Sequence, residues 1–310
     1  MIILEDLSHE ERKKYLEDRK RTNEEKTQED ILEWEVEARY RVKQTNIMKF
    51  EDVPVSNSSI RAQHHFFKNG NKVQNIIEES FYSFFPVLMH LDDFLSLSDQ
   101  SKRNIMFEIG KDGKPLKIIN KQELINNWDR FKKNDFSNSP FIKELKKVDI
   151  NQVDKMISLG DKEINDDVLL IDNLNANIYF KEIFGQYLIK NFDDFNNEHF
   201  KTHSNFFPDI YVLGTLEYKG VEEDDHVIRF SKELNLNWDE INEHDMIKSY
   251  NKNYKPKLKY SFSEYEYCYS SRYVISKKDM LIEDLSVNIS EEVKNNISNT
   301  INFNLKRIKL

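Results

Sequence analysis

The chain has 310 residues, a net charge of −9, a single cysteine, and a composition that is 38% apolar and 33% charged. The lone Cys268 excludes an internal disulfide and a multi-cysteine zinc site, and no run of 18 apolar residues offers a membrane span. The acidic balance opposes non-specific attraction to nucleic acid, while leaving room for a local basic patch.

The length suits one large domain or two smaller ones with an extended arm. The 21 Phe and 14 Tyr supply large buriable surfaces, so aromatic-rich cores joined by well-solvated segments are expected. Asn, Ile and Lys are abundant and Gly numbers only 7, a bias that AT-rich codons would produce, so an Asn-rich stretch carries little specific meaning. The opening MIIL is too short for a signal peptide or span. The expected setting is the cytoplasm or a virion, neither secreted nor membrane-embedded.

In chain order, Ser8 stands three positions before Glu11, a capping-box spacing, and a charged run follows through residue 30. Such a segment cannot bury itself; it reads as a solvated helix, a disordered arm, or a strut ordered against a partner. Residues 33–43 alternate strictly, with Trp34, Val36, Ala38, Tyr40 and Val42 on one side, which favours a half-buried strand over a helix. VPVSNSS at 53–59 reads as a loop, and the apolar, aromatic stretch from Val73 to Leu97, broken by Pro86, as two short helices or one kinked helix.

Ile105–Ile109 and Leu116–Ile119 flank KDGKP, a hairpin signal with Gly113 suited to positive φ. Asn120 then caps a helix bearing Leu124, Trp128 and Phe131. Helices are expected at Pro140–Val148 and at Gln152–Leu159, the latter stopped by Gly160. A short buried strand is expected at 167–172 and a helix at Tyr179–Ile189. Alternating segments fill the third quarter, and residues 258–275 are rich in β formers with a register change near Glu264. Ile289, Val293 and Ile297, four apart, read as a last helix before a terminal strand with Ile301, Phe303 and Leu305 on one face.

The expected fold is therefore mixed α+β: a charged arm (1–48), a mainly helical domain with a hairpin near 105–119 (49–160), and a more strand-rich α+β domain (161–310).

Two segments carry motif-like chemistry. HFFKNGNK at 65–72 resembles the His-x-Phe-x-x-Gly-Asn core of the Fic and Doc transferases. That resemblance implies His65 as a base toward a target hydroxyl, with Gly70 and Asn71 cradling phosphates at a helix N-terminus. The chain departs from the family in having Asn69 for the acid and Val73 for the Arg. Pro208-Asp209 followed by Glu217-Tyr218-Lys219 resembles the PD-(D/E)xK nucleases. There the implied roles are Mg²⁺ ligation by Asp209 and Glu217 and water positioning by Lys219, with Glu182 as a third acid.

His199 and His203 could share a metal if helical, although solvated side chains at a helix end are the simpler reading. His90 with Asp92 and Asp93 marks the return of a buried helix to solvent. Cys268, between Tyr267 and Tyr269, reads as a packed thiol, and the tyrosines from 265 to 273 as an aromatic contact patch. No P-loop, dinucleotide-binding or α/β-hydrolase signature is present.

The expectation is a non-enzymatic structural or assembly subunit of a large complex, such as a virion or phage head–tail connector component. Its partners would be other protein subunits in a homo-oligomer or multi-protein complex, with no committed catalytic residues and no cofactor. The alternatives are the Mg-dependent nuclease and, behind it, the Fic-like transferase.

Overall fold

The computed structural model describes residues 34–86, 90–189, 192–207 and 209–308. The charged run and capping box at 8–30 lie outside the described residues. The chain divides into two units, residues 1–35 and 36–310; the following concerns the second.

Eleven strands form one antiparallel sheet: β1 (Val36–Phe50), β2 (Val53–Asn69), β3 (Lys72–Phe85), β4 (Asn104–Ile109), β5 (Pro115–Ile118), β6 (Glu198–His203), β7 (Tyr211–Glu223), β8 (Val227–Leu236), β9 (Tyr265–Ser276), β10 (Ile282–Val293) and β11 (Ile297–Ile308). Their order is β5-β4-β3-β2-β1-β11-β10-β9-β8-β7-β6, so the first and last strands pair at the centre. Helices α1 (Leu91–Asp99), α2 (Lys121–Phe131), α3 (Pro140–Val148), α4 (Ile150–Asn165), α5 (Asp167–Asn175) and α6 (Ile178–Ile183) precede β6, and α7 (Glu243–Asn253) and α8 (Lys255–Leu258) precede β9. The segment from α2 to α6 joins one edge strand, β5, to the other, β6.

The sheet curls around α6. Tyr179 of α6 donates to Asn75 on β3, and three residues further along the same helix Glu182 accepts from Tyr269 and Tyr273 on β9. In a flat sheet those strands, five spacings apart, would be separated by about 24 Å. The edge regions also meet: Lys114, beside β5, lies 2.9 Å from Glu198 on β6, where ten flat spacings would give about 48 Å. Open sheets of this width relieve their twist by curling. Tyr179, Phe180, Ile183 and Phe184 are all buried, each contributing about 1.5–3 kcal/mol of hydrophobic stabilisation.

Polar groups fasten this core. Lys114 and Lys232 flank Glu198, which also accepts from Tyr218. Burial alone would raise the Glu198 carboxyl, but the two ammonium groups and the Tyr218 hydroxyl hold it at about 2. Lys181, packed 4.0 Å over the Phe200 ring, is drawn down to about 8 by burial.

These observations correct the expected helical N-terminal half. The stretch Val53–Phe85 is two long strands. The β1–β2 turn places Glu51 and Asp52 at φ 49° and 66°, the conformation of a two-residue hairpin loop, without the Gly or Asn that would announce it. At the next turn Gly70 has φ 54°, and Gly70-Asn71 is the two-residue loop between the paired Asn69 and Lys72; the FF and II doublets mask the alternation around it. The expected boundaries at 48/49 and 160/161 fall inside β1 and α4.

Residues 167–175 are helical, not a strand: Asp166 caps the helix by accepting from the backbone N–H of Val168 and Leu169. Gly160 lies within α4 rather than stopping it, and a Cβ there would stand 2.3 Å from the Trp128 ring. Ile289 and Val293 lie on one face of β10, a spacing of four being also a multiple of the strand period, and Ile297 opens β11 across the turn, paired with Val293. Tyr265, Tyr267, Tyr269 and Tyr273 are buried rather than a contact patch, which turns Cys268 out to solvent. Residues 36–43 are strand, the 104–118 hairpin forms with Gly113 at φ 76°, and Leu124, Trp128 and Phe131 are the buried face of α2.

Candidate functional site

The alternation that buries Ala38, Tyr40 and Val42 sends Arg39, Arg41 and Lys43 to the outer face of β1. Register then assembles a patch from distant parts of the chain. Lys43 stands opposite Arg61 on β2, and Arg41 opposite Lys306 on β11. Successive outward residues on a strand are about 7 Å apart and neighbouring strands about 4.8 Å, so four cations share an area roughly two strand spacings wide.

All four are exposed. Arg39 is drawn off by Glu78 at 3.0 Å, whereas among the described residues none of Arg41, Lys43, Arg61 and Lys306 forms an ion pair; Arg41 makes only a 3.5 Å contact with Gln63. Like charges directly opposite one another destabilise a strand pair, and here two such pairs adjoin. The patch lines a groove of about 670 Å³ with Gln63, Asn304, Phe81 and one carboxylate, Glu79. Phe81 stands directly opposite Arg61. Phe85, two outward positions further along β3, is equally exposed at 61%. A bulge opposite Gln63 and His64 sets this register, placing Phe81 and Phe85 outward and Ser80 and Tyr82 inward.

His65 lies beside the patch, half-buried, with Nε2 3.5 Å from Glu37 and Nδ1 3.7 Å from Glu78. Burial, aided by Arg39, lowers its pKa. Gly70 and Asn71 form the β2–β3 hairpin turn, so no helix N-terminus follows His65.

The residues of the nuclease-like motif are separated. Asp209 is exposed in the turn before β7, and Glu217 lies some 20 Å further along that strand; Pro208 is outside the described residues. Glu217 accepts from Asn235, and Lys219 pairs with Glu233 at 2.8 Å on the outer face. Glu182 points the other way, into the core. His199 and His203 sit on a strand, about 13 Å apart rather than one helical turn. His90 has φ 63° and precedes α1, whose first turn holds Asp92 and Asp93. Among the described residues no group of three His, Cys, Asp or Glu side chains is placed to hold a metal ion.

Sequence reasoning missed the basic patch because its cations come from residues 41, 43, 61 and 306, which only the register brings together. The alternating Arg39, Arg41 and Lys43 were its one local signal. None of the described helices is long and apolar enough to cross a membrane.

No protein-family model matches the chain, and no curated protein matches it. Among solved structures, one described as "Lipid-protein interactions in lipovitellin" is similar at 10% identity with a TM-score of 0.45, over 88% of this chain and 25% of that one. The chain thus spans about a quarter of that protein's length, and a likeness at this score carries no argument about fold or activity.

Proposed function

We propose that this protein is a non-enzymatic assembly subunit that docks single-stranded nucleic acid on the outer face of β3, β2, β1 and β11. The observation that carries the reading is the set of directly opposed cations Arg41, Lys43, Arg61 and Lys306, none in an ion pair among the described residues, on a chain of net charge −9. Phosphates would relieve the repulsion between them, and Phe81 and Phe85 offer rings on which bases stack. The rings favour a nucleic acid over an acidic protein segment, which would use the cations but not the stacking surface.

The test is fluorescence anisotropy with a labelled oligothymidylate and with a labelled polyglutamate peptide. The oligonucleotide should bind the wild type, at least tenfold more weakly to Lys43→Glu/Arg61→Glu, and several-fold more weakly to Phe81→Ala. Equal binding of both polymers with no effect of Phe81→Ala would assign the face to an acidic protein instead. No binding of either would remove the reading altogether.

A further inference from the structure

On the inner face of the same strands, between the sheet, the end of α1, α5 and α6, lies a cavity of about 190 Å³. Its apolar wall includes Val42, Ile60, Ala62, Ile77, Phe180 and Phe303. Asn173 and Asn177, both exposed, mark where it opens. At about 30 Å³ per water, the volume equals roughly six waters, or one small organic molecule.

The polar groups of the wall are ordered by a short chain of hydrogen bonds. Tyr179 donates its hydroxyl proton to Asn75 Oδ1 at 2.6 Å, which turns the Asn75 amide nitrogen toward His64 Nδ1 at 3.3 Å. Nδ1 therefore accepts, and the ring proton resides on Nε2. The imidazole is clamped against the Tyr179 ring, centroids 3.8 Å apart, and burial holds its pKa at about 3, so it stays neutral. Among the described residues the Nε2–H donates to no acceptor. Gln44, between Ile60 and Phe303 in the cross-strand register, likewise carries an amide on the wall without a partner among those residues.

Of the two charged groups of the wall, Lys102 is matched by an opposite charge and Asp99 is held by a neutral hydroxyl. Asp99 accepts from Tyr82 at 2.8 Å, and Lys102 pairs with Glu163. An anion entering the cavity would shed its hydration without gaining a free counter-charge, and a cation would meet a carboxyl that burial already shifts toward its neutral form, so a charged occupant is disfavoured. A neutral occupant with one acceptor oxygen meets the His64 donor while its apolar body covers the aliphatic wall.

We propose that this cavity is a binding site for a small neutral molecule that has a carbonyl or hydroxyl acceptor directed at His64 Nε2–H and an apolar remainder against Val42, Ile77 and Phe303. The site is on the opposite face of the sheet from the basic groove, sharing with it only Val42 and Ala62.

The probes are cyclohexanone, which carries the acceptor, and methylenecyclohexane, which has nearly the same shape without it. Their Kd values for the full chain are measured by saturation-transfer NMR. Cyclohexanone should bind about tenfold tighter, the worth of one buried neutral hydrogen bond. His64→Phe should bring the ratio close to one, and Ala62→Leu, which fills the cavity, should abolish binding of both. Circular dichroism checks that each variant folds, and Ile60→Phe, filling from the half-buried rim, replaces Ala62→Leu if that variant does not. Binding of neither probe by the wild type, as for a cavity that holds only water, would overturn the proposal. So would a ratio unchanged by His64→Phe, or affinity unchanged by the filling variants.

Discussion

Replacing Glu182 tests whether the buried polar contacts of α6 hold the curled sheet together. The side chain is 1% exposed and accepts from two buried hydroxyls, Tyr269 and Tyr273. Glu182→Ala leaves both without an acceptor, at about 1–3 kcal/mol each. Relief of the carboxylate's desolvation offsets part of the combined cost of about 2–6 kcal/mol, leaving a net loss of about 2–4 kcal/mol. Glu182→Gln keeps an oxygen to accept from one tyrosine and an amide to donate to the other, so its loss should be about 1 kcal/mol. Adding Tyr269→Phe and Tyr273→Phe to Glu182→Ala removes the stranded hydroxyls and should recover about 1–3 kcal/mol, a coupling expected of groups in contact. Urea unfolding followed by far-UV circular dichroism reads all three. An alanine variant within 0.5 kcal/mol of the glutamine variant, or no recovery on adding the phenylalanines, would refute the reasoning.

Two further outcomes follow from buried groups. His64 is held at about 3 against an ordinary 6.5, and Glu198 at about 2 against 4.5. In both cases the unfolded chain binds the proton first, so stability is full above the unfolded value and falls with pH, between 6.5 and 3 for His64 and between 4.5 and 2 for Glu198. Urea midpoints should therefore drop from pH 7 to pH 4.5, and His64→Phe should flatten that part of the curve; a flat wild-type profile there would contradict the assignment. Gly160→Ala should destabilise by about 1–3 kcal/mol through its approach to the Trp128 ring, despite the roughly 1 kcal/mol helical advantage of alanine. The same change in a Trp128→Leu background should be neutral or stabilising, as unfolding curves would show.

The legible parts of the fold were those whose signals are local. The alternation of Val36, Ala38, Tyr40 and Val42, the KDGKP turn and the Leu124, Trp128 and Phe131 stripe each specify an element from a few neighbours. The illegible parts were those where one pattern serves two periods or where tertiary pairing overrides propensity. Ile289, Val293 and Ile297 fit helix and strand alike, and VPVSNSS is extended because it pairs with Phe50 to Thr45, not because its own residues demand it. The candidate site was the least legible, since Lys306 reaches Arg41 only through the pairing of the last strand with the first. Motif spacing misled in the opposite sense: Asp209, Glu217 and Lys219 are close in sequence, yet a single extended strand keeps Asp209 far from the other two.

The most direct test of the proposed docking face is the salt dependence of oligothymidylate binding. Four cation–phosphate contacts on single-stranded nucleic acid predict that log K falls against log salt with a slope of about −3, reduced to near −1 in Lys43→Glu/Arg61→Glu. A slope near zero, or one that the double substitution leaves unchanged, would contradict the account.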